Sequence, residues 1–254
     1  MKSSMRIIKH KFEKKVTIIP ISDVHIGSLE CNETAWKNFC TQIQQEPDTY
    51  IVLVGDLVNN SVRNAVANPF DEMLRPRDQK YRMIDYLKPI KNKIIAAVSG
   101  NHEYRTKKDS DGDITYDILC NLDLEKIYRE DIAFIKIICG SAAYGLAITH
   151  GAGGGALTGA GVNRNERFSY VIEGLDCLIS GHTHKGVISR PSRLVFDLNH
   201  GTVAQRACTV ITSESWLSYG GYAARKMLTP AESCNPQRLI LNDDKHNKRI
   251  NIEW

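Results

Sequence analysis

Five of the eight histidines in this 254-residue chain lie at the ends of short apolar segments, together with two aspartates and an asparagine. Imidazole nitrogens with carboxylate and amide oxygens, and without thiolates, are typical ligands of Mn, Fe, Zn or Ni. Burying so many polar groups together without a cation would be costly, which argues against a purely structural role. The residue types therefore predict a metal site and its surroundings, formed by Asp23, His25, Asp56, Asn101, His102, His150, His182 and His184.

Two pairs of these residues are separated by a single position, Asp23 with His25 and His182 with His184. Side chains alternate between the two sides of an extended chain with a period of two residues. Each pair is therefore predicted to present both side chains on one side of an extended segment. Asp56 adds a carboxylate that can bridge two cations.

The apolar segments that precede these residues are typical of strands buried on both faces. They are VTIIPIS before Asp23, YIVLVG before Asp56, KIIAAVSG before Asn101, YGLAIT before His150 and CLISG before His182. Helices are predicted between them over residues 32–45, 78–90, 113–122 and 164–173, the first capped by Asn32 and the last ending at Gly174. Alternating strands and helices predict a layered α/β sandwich with its site on loops at the strand ends.

Further β-structure is predicted around this core. Hairpins are expected over residues 6–21, 135–148 and 237–253, with turns at Glu13-Lys14, Cys139-Gly140-Ser141 and Asp243-Asp244. Residues 186–217 also have strand character, so the part from 186 to 254 is predicted to be mainly β. The chain has no repeat and no linker-like segment, and we therefore expect one domain over residues 1–254, with loops at 61–82 and 151–163 near the site.

Five short segments resemble, in order, the signature blocks of the calcineurin-like metallophosphoesterases. They are DVHIG (23–27), GDLVNN (55–60), GNHE (100–103), THG (149–151) and GHTH (181–184). The resemblance extends over residues 23–184 and implies a four-layer sandwich of two mixed β-sheets flanked by helices. It also implies two divalent metal ions, with Mn expected first and Fe, Zn or Ni as alternatives.

The same resemblance assigns the ligands. One metal would be held by Asp23, His25, Asp56 and His184, and a second by Asp56, Asn101, His150 and His182. Two such cations clamp phosphoryl oxygens and hold a bridging hydroxide for in-line attack on phosphorus. His102 would act beside them as the general acid that protonates the leaving oxygen.

This chain departs from one pattern of the family. Relatives that act on phosphoproteins carry Asp and then Arg where Asn59 and Asn60 stand here. Asn59 could accept a hydrogen bond from His102 but lacks the charge that would stabilise an imidazolium. The missing Arg favours a phosphodiesterase, including the repair-exonuclease branch, that acts on nucleic acid or nucleotides. The alternatives are a phosphomonoesterase of proteins or small metabolites and, in another class, a non-catalytic metal-binding scaffold.

Substrate contacts are predicted from basic and aromatic residues near these blocks. Arg105 is a candidate for phosphate because its position ties it to His102. The segment 61–82 either rims the site or is a solvated face, and its cations are Arg63, Arg75, Arg77, Lys80 and Arg82. Glycines in residues 151–161 either bring backbone amides to an anionic ligand or form a mobile loop.

The segment 215–226 interleaves Trp216, Tyr219 and Tyr222 with Arg225 and Lys226. Such residues either stack bases and hold a nucleic-acid backbone or pack an outer strand. The substrate-contact candidates are thus Arg105, Asn59, Asn60, Tyr222 and Arg225.

The composition indicates a cellular compartment but does not identify a substrate or partner. A net charge of +4 permits DNA or RNA as substrate but does not require it. The seven cysteines are odd in number and widely scattered, which favours reduced thiols over a disulfide framework. The first 20 residues have no apolar stretch typical of a signal peptide, and no segment approaches a membrane span. We therefore expect a cytoplasmic protein, whose oligomeric state stays open.

Overall fold

The computed structural model describes residues 6–62, 65, 70, 72–155 and 157–254. Its strands are β1 (Ile8–Phe12), β2 (Val16–Ile21), β3 (Thr49–Leu53), β4 (Ile94–Val98), β5 (Tyr128–Arg129), β6 (Ile132–Cys139), β7 (Ala142–Thr149), β8 (Cys177–Ser180), β9 (Val187–Ser189), β10 (Ser192–Asp197), β11 (Thr202–Ala207), β12 (Thr209–Thr212), β13 (Arg238–Leu241) and β14 (Ile250–Glu253). Its α-helices are α1 (Glu33–Gln45), α2 (Pro76–Leu87), α3 (Asn101–Ser110), α4 (Ile114–Asn121), α5 (Gly159–Ser169) and α6 (Gly221–Arg225).

Most strands belong to two mixed six-stranded sheets. One sheet has the order β14-β13-β2-β3-β4-β5, and the other has the order β1-β6-β7-β8-β12-β9. Strands β10 and β11 form a separate antiparallel ribbon. The predicted class, an α/β sandwich of two mixed sheets flanked by helices, is confirmed.

Successive side chains of a strand point to opposite faces of its sheet. Each sheet therefore has one apolar face against the other sheet and one apolar face against helices. On β2, Ile18 packs between the sheets, whereas Ile19 and Ile21 face the helices. Helices α1, α2 and α4 cover the first sheet, with Trp36 of α1 among their fully buried residues. Helix α5 packs against β8, β9 and β12 of the other sheet. The order of layers is therefore helices, sheet, sheet and helix.

The five apolar segments predicted as buried strands are β2, β3, β4, β7 and β8. Strands β2, β3 and β4 run parallel to one another, and β7 runs parallel to β8. Because the carboxyl ends of parallel strands share one edge of a sheet, the residues that follow them meet there.

One of the three predicted hairpins is wrong. Strand β1 pairs in parallel with β6, whereas β2 belongs to the other sheet. Ile8 of β1 and Val16 of β2 both enter the core between the sheets, so this turn connects two layers. The hairpins of β6 with β7 and of β13 with β14 are confirmed, and a 3-10 turn at Lys245–Asn247 lies within the latter connection.

The predicted helices are present with shifted ends. Asn32 caps α1 by accepting a hydrogen bond from the Ala35 amide at 3.0 Å. Helix α2 ends at Leu87 and continues as a 3-10 helix over Lys88–Lys93, because Pro89 has no amide hydrogen for an α-helical bond. No helix among the described residues is long and apolar enough to cross a membrane.

Helix α5 and helix α3 differ most from expectation. Helix α5 begins within the glycine-rich segment and ends at Ser169, five residues before the predicted cap at Gly174. Its position is fixed by tertiary contacts, since buried Asn165 donates to Ser180 Oγ at 2.7 Å and Thr212 Oγ1 at 2.9 Å. Helix α3 was not predicted, although it begins at Asn101 itself.

Candidate metal centre and catalytic cleft

The predicted ligand residues of both sheets meet at one edge. Asp23 follows β2, Asp56 follows β3 and Asn101 follows β4, while His150 follows β7 and His182 follows β8. The turns are tied together across the sheets, because the His182 amide donates to Asp23 Oδ2 at 2.9 Å. The Asp23 amide in turn donates to the carbonyl of Gly55 at 3.1 Å.

One group of ligand atoms surrounds Asp23 Oδ1. His184 Nε2 lies 3.2 Å and His25 Nε2 lies 3.8 Å from this oxygen, and the two nitrogens are 3.3 Å apart. His25 Nε2 is also 3.8 Å from Asp56 Oδ2. These three side chains can hold one cation, and His25 also belongs to a possible ligand group with Asp56 and His102.

A second group begins at the same Asp56 oxygen. His150 Nε2 lies 3.1 Å from Asp56 Oδ2 and 3.0 Å from Asn101 Oδ1. His182 Nδ1 lies 2.7 Å from Asn101 Oδ1 and 3.3 Å from His150 Nε2. Asp56 Oδ2 therefore lies between the two groups, as a bridging carboxylate requires.

The donor set fits divalent cations. Asp23 Oδ1 is buried and accepts no hydrogen bond, although it points at two imidazole nitrogens. The other oxygen of Asp23 is fully engaged, with Ser22 Oγ donating at 2.5 Å and the His182 amide at 2.9 Å. A buried carboxylate oxygen left without a donor is costly, and a cation among these ligands would satisfy it.

The protonation states of the site residues also fit a set of metal ligands. Burial would raise the pKa of Asp23 and Asp56, but neighbouring imidazoles, foremost His184 for Asp23 and His150 for Asp56, hold both below the ordinary range. Burial likewise opposes the proton on His150, yet Asp56 raises the pKa of this imidazole to about 10. Both carboxylates are thus ionised, and without metal His150 balances part of their charge.

Tight turns, rather than extended segments, orient the paired ligands. Asp23 and His25 have φ values of 55° and 51°, and His182 and His184 have 71° and 58°. The prediction of an extended chain at both pairs is therefore wrong, because the strands have ended and the left-handed conformation redirects the side chains. Asp56, at φ 52°, shares this conformation. Such a backbone costs about 1–3 kcal/mol per residue and requires support from its surroundings.

Glu103 supplies that support and was not predicted. Its carboxylate accepts hydrogen bonds from the amides of Asp56 and Gly100 at 3.0 Å each, and from Leu57 at 2.6 Å and Val58 at 3.2 Å. Burial raises the pKa of Glu103 to about 7, and the nearby Asp56 charge adds to this, whereas the amide donors favour the carboxylate. The sequence signal was a Glu three residues after Gly100, as in a capping box.

His102 is held beside the metal ligands by backbone and guanidinium contacts. Its Nδ1 donates to the carbonyl of Asn59 at 2.6 Å, and its amide donates to Asp56 Oδ1 at 2.8 Å. Arg105 Nη2 lies 2.8 Å from His102 Nε2, and Nη1 donates to the same Asn59 carbonyl at 3.1 Å. Burial lowers the pKa of His102 to about 3, although Asp56 acts in the opposite direction. His102 is therefore neutral here, with Nε2 accepting from Arg105.

Asn59 and Asn60 have structural contacts. Asn59 Oδ1 lies 3.2 Å from His25 Nδ1, and it is the backbone of Asn59, not the expected side chain, that orients His102. Asn60 is fully buried and donates to the His102 carbonyl at 2.6 Å. Asn60 therefore cannot contact a substrate, and its inclusion among the substrate-binding candidates is corrected.

A cleft of about 750 Å³ opens over the ligand groups. Among the residues that the structure describes, Gly153–Gly155 and much of the segment 215–231 line this cleft. Tyr219, Tyr222 and Arg225 contribute side chains to its wall. Tyr219 and Tyr222 are about half exposed. Four of the predicted substrate-contact residues thus line this cleft, namely Asn59, Arg105, Tyr222 and Arg225.

The structure decides between the alternatives left open for two segments. Trp216 is only 1% exposed and packs against Trp36 and Phe39, with ring centroids 5.1 Å apart in each pair, so it cannot stack on a base. The described cations of segment 61–82 do not line the cleft: Lys80 pairs with Asp117 at 2.9 Å, and Arg82 lies on α2. Arg63 lies outside the described residues.

Comparison with known proteins agrees with this geometry. The model of the family described as calcineurin-like phosphoesterase matches residues 16–186, which is more than half of the chain. No curated protein matches the sequence.

Solved structures with similar folds are distant. A predicted phosphoesterase from Streptococcus pneumoniae is 16% identical, with a TM-score of 0.43 and coverage of 94% of this chain and 88% of that one. The calcineurin-like phosphoesterase YfkN from Bacillus subtilis is 13% identical, with a TM-score of 0.40 and coverage of 94% and 90%. The nuclease MPE from Pseudomonas putida is 12% identical, with a TM-score of 0.39 and coverage of 93% and 87%. Similarity at this level does not indicate a shared substrate, but the family match over residues 16–186 is direct. The chain therefore belongs to the calcineurin-like phosphoesterases, a family of metal-dependent hydrolases of phosphoesters.

Proposed function

We propose that this protein hydrolyses phosphodiester bonds in nucleic acid or nucleotides, with two divalent cations of which manganese is the favoured metal. The observation that carries the proposal is the position of Asp56 Oδ2, 3.1 Å from His150 Nε2 and 3.8 Å from His25 Nε2, between two groups of ligands. A mononuclear or purely structural site has no need of a carboxylate shared in this way.

The metals and the side chains have separate roles. Bound cations supply Lewis-acid polarisation of the phosphoryl oxygens and lower the pKa of a water molecule. The fixed turns around Asp23 and Asp56 hold the ligands in place before substrate arrives. Because Nδ1 is bound to the backbone, Nε2 is the ring nitrogen of His102 that is left for proton transfer. Nε2 must first lose its contact with Arg105 and bind a proton from solvent, which it can then donate to the leaving oxygen. Arg105, which now contacts that Nε2, is the side chain that can move to a phosphate oxygen.

A substrate with bases and a phosphate backbone is supported by the shape and lining of the cleft. Tyr219 and Tyr222 offer exposed rings, while Arg225 and Lys226 provide cations along the same wall. Aromatic faces alternating with cations bind single-stranded nucleic acid by stacking and by charge. The diester preference is supported by Asn60, whose buried side chain leaves no phosphate-binding group at the position where protein phosphatases carry Arg.

The experiment compares a diester with the matching monoester. We would strip the purified protein with a chelator, restore Mn²⁺ and measure hydrolysis of bis(p-nitrophenyl) phosphate and p-nitrophenyl phosphate. Asp56→Ala is expected to abolish diester cleavage, whereas Asp109→Ala, an exposed aspartate on α3, is expected to leave it unchanged. Faster monoester cleavage would assign the protein as a phosphomonoesterase. Bound metal without turnover of either ester would favour the alternative of a non-catalytic metal-binding scaffold.

A second comparison tests the general acid. Protonation by His102 matters little for p-nitrophenolate, a good leaving group, and much for an alcohol with a high pKa. His102→Ala is therefore expected to reduce kcat by about 10²–10⁴-fold on a dinucleotide but far less on the nitrophenyl diester. His246→Ala, an exposed histidine, is the control. Equal losses on both substrates would show that His102 serves the metal centre instead of the leaving group.

The proposed location is the cytoplasm, because an odd number of scattered cysteines is typical of proteins from a reducing compartment.

A further inference from the structure

A second cavity, of about 470 Å³, lies at the opposite edge of the sheet that carries His150 and His182. It is bounded by residues that precede β8 and β12, including Asp176 and Cys208, and by the base of the β10–β11 ribbon. The four residues of β8 separate it from the metal ligands by roughly 13 Å at 3.3 Å per residue. Among the described residues, none lines both this cavity and the catalytic cleft.

Two arginines face each other across the ribbon at this cavity. Arg193 of β10 pairs in register with Arg206 of β11, and both line the cavity wall. Directly opposed residues of an antiparallel pair point to the same face, with Cβ atoms about 4.5–5.5 Å apart, and like charges there destabilise the sheet. Lys248 is a third cation in the same lining.

The carboxylate of this lining does not neutralise the two arginines. Asp176 accepts hydrogen bonds from Lys248 Nζ at 2.6 Å and from the Gly145 amide at 2.8 Å, so both of its oxygens are engaged. Arg193 Nη2 donates to the carbonyl of Ile172 at 3.2 Å, which uses one of the five donors of its guanidinium. The charge of Arg206 also acts on Asp197 of the same ribbon, but the cavity lining itself holds a single carboxylate, Asp176, for three cations. The lining therefore carries net positive charge, and the arginine pair presents spare donors to the cavity.

We propose that this cavity binds a nucleotide phosphate, with Arg193 and Arg206 as the phosphate ligands and Tyr170 as the surface on which the base stacks. A phosphate anion between the guanidinium groups converts their repulsion into two charge-assisted contacts, which arginine makes in a fork geometry. Tyr170 is 49% exposed and belongs to the same lining. The volume is that of sites for ligands of nucleotide size.

The same chemistry serves a free nucleotide and a nucleotide within a strand. The site is separate from the metal centre, so it neither requires nor supports the hydrolytic activity proposed above. It would give the protein a second contact with a phosphorylated ligand on the far side of the sheet.

The test uses the manganese-loaded protein and calorimetric titration with adenosine 5′-monophosphate and with an eight-nucleotide single-stranded DNA whose phosphorothioate linkages resist hydrolysis. The double variant Arg193→Gln, Arg206→Gln is compared with wild type and with Arg190→Gln. Arg190 is exposed beside the ribbon but does not line the cavity, so it controls for overall charge. We expect the double variant to lose one binding event, with at least about a tenfold rise in Kd, because each removed contact is a charged hydrogen bond. Hydrolysis of the nitrophenyl diester should be equal in all three proteins.

The two probes identify the source of the phosphate. Loss of binding for both assigns the site to free nucleotide as well as to strands, and loss for DNA alone assigns it to a strand. Identical isotherms for wild type and the double variant would overturn the proposal, as would an equal loss in Arg190→Gln.

Thermal unfolding of the single variant Arg206→Gln provides an independent readout if the double variant folds poorly. Without nucleotide, its Tm should equal or exceed that of wild type, because the repulsion between the opposed arginines is gone. With nucleotide at saturation, wild type should gain Tm and the variant should not. A variant that gains as much as wild type would refute the site.

Discussion

Replacing Glu103 by Gln tests whether one buried carboxylate holds the Asp56 turn. Glu103 Oε2 accepts from the amides of Asp56 and Gly100 at 3.0 Å each, and Oε1 accepts from Leu57 at 2.6 Å and Val58 at 3.2 Å. Glutamine keeps one acceptor oxygen and turns an NH₂ group toward the other two amides. Two buried N–H groups are then unpaired, at about 1–3 kcal/mol each, so the free energy of unfolding should fall by about 2–6 kcal/mol.

The assay is urea unfolding of the metal-free protein, followed by tryptophan fluorescence, beside calorimetric titration with Mn²⁺. Glu13→Gln is the matched control because Glu13 is exposed, and its change should stay within about 0.5 kcal/mol. We also expect Glu103→Gln to weaken Mn²⁺ binding, since Asp56 carries the oxygen that we propose the two metals share. Unfolding at the same urea concentration as Glu13→Gln would refute the reasoning. Lower stability with unchanged Mn²⁺ affinity would show that Glu103 supports the fold without positioning the ligand.

Four further results are expected. Trp216→Ala should lower the free energy of unfolding by about 3–5 kcal/mol, because the ring is buried among other aromatic rings; a stable variant that only binds DNA less well would contradict this. Tyr222→Ala should weaken binding of single-stranded DNA by roughly tenfold, with turnover of the nitrophenyl diester unchanged, and equal affinity in a binding titration would exclude stacking. Mn²⁺ at 100 times its Kd should stabilise the chelator-treated protein by about 2.7 kcal/mol for each ion bound, and Asp56→Ala should lose this gain in a thermal melt. Burial opposes the charge of Glu46, but Arg238 lowers its pKa, so its contribution is present above its ordinary pKa near 4.5 and lost as pH falls further. Glu46→Gln should therefore reduce urea stability at pH 7, by about 1 kcal/mol or less, and have no effect near pH 2.

Local patterns in the sequence determined the strands and selected the candidate metal ligands. Each strand that supplies a ligand is a continuous apolar run, such as β3 before Asp56 or β8 before His182, and burial on both faces leaves that signature in neighbouring residues. The ligands follow at once in the chain, so both signals can be read within about ten residues. That residues 1–254 form one domain stays a prediction.

The tertiary structure decided how those side chains are held and which neighbours can reach a substrate. The carboxylate of Glu103 binds amides 45 to 47 residues earlier, and the opposed pair Arg193 and Arg206 depends on the register of a hairpin. Asn60 and Trp216 are residue types that often contact substrates, yet both side chains are buried. Periodicity along a chain records which face of an element is apolar, but a partner from a distant segment leaves no mark on local spacing. Burial and pairing of polar groups therefore follow only from the packed fold.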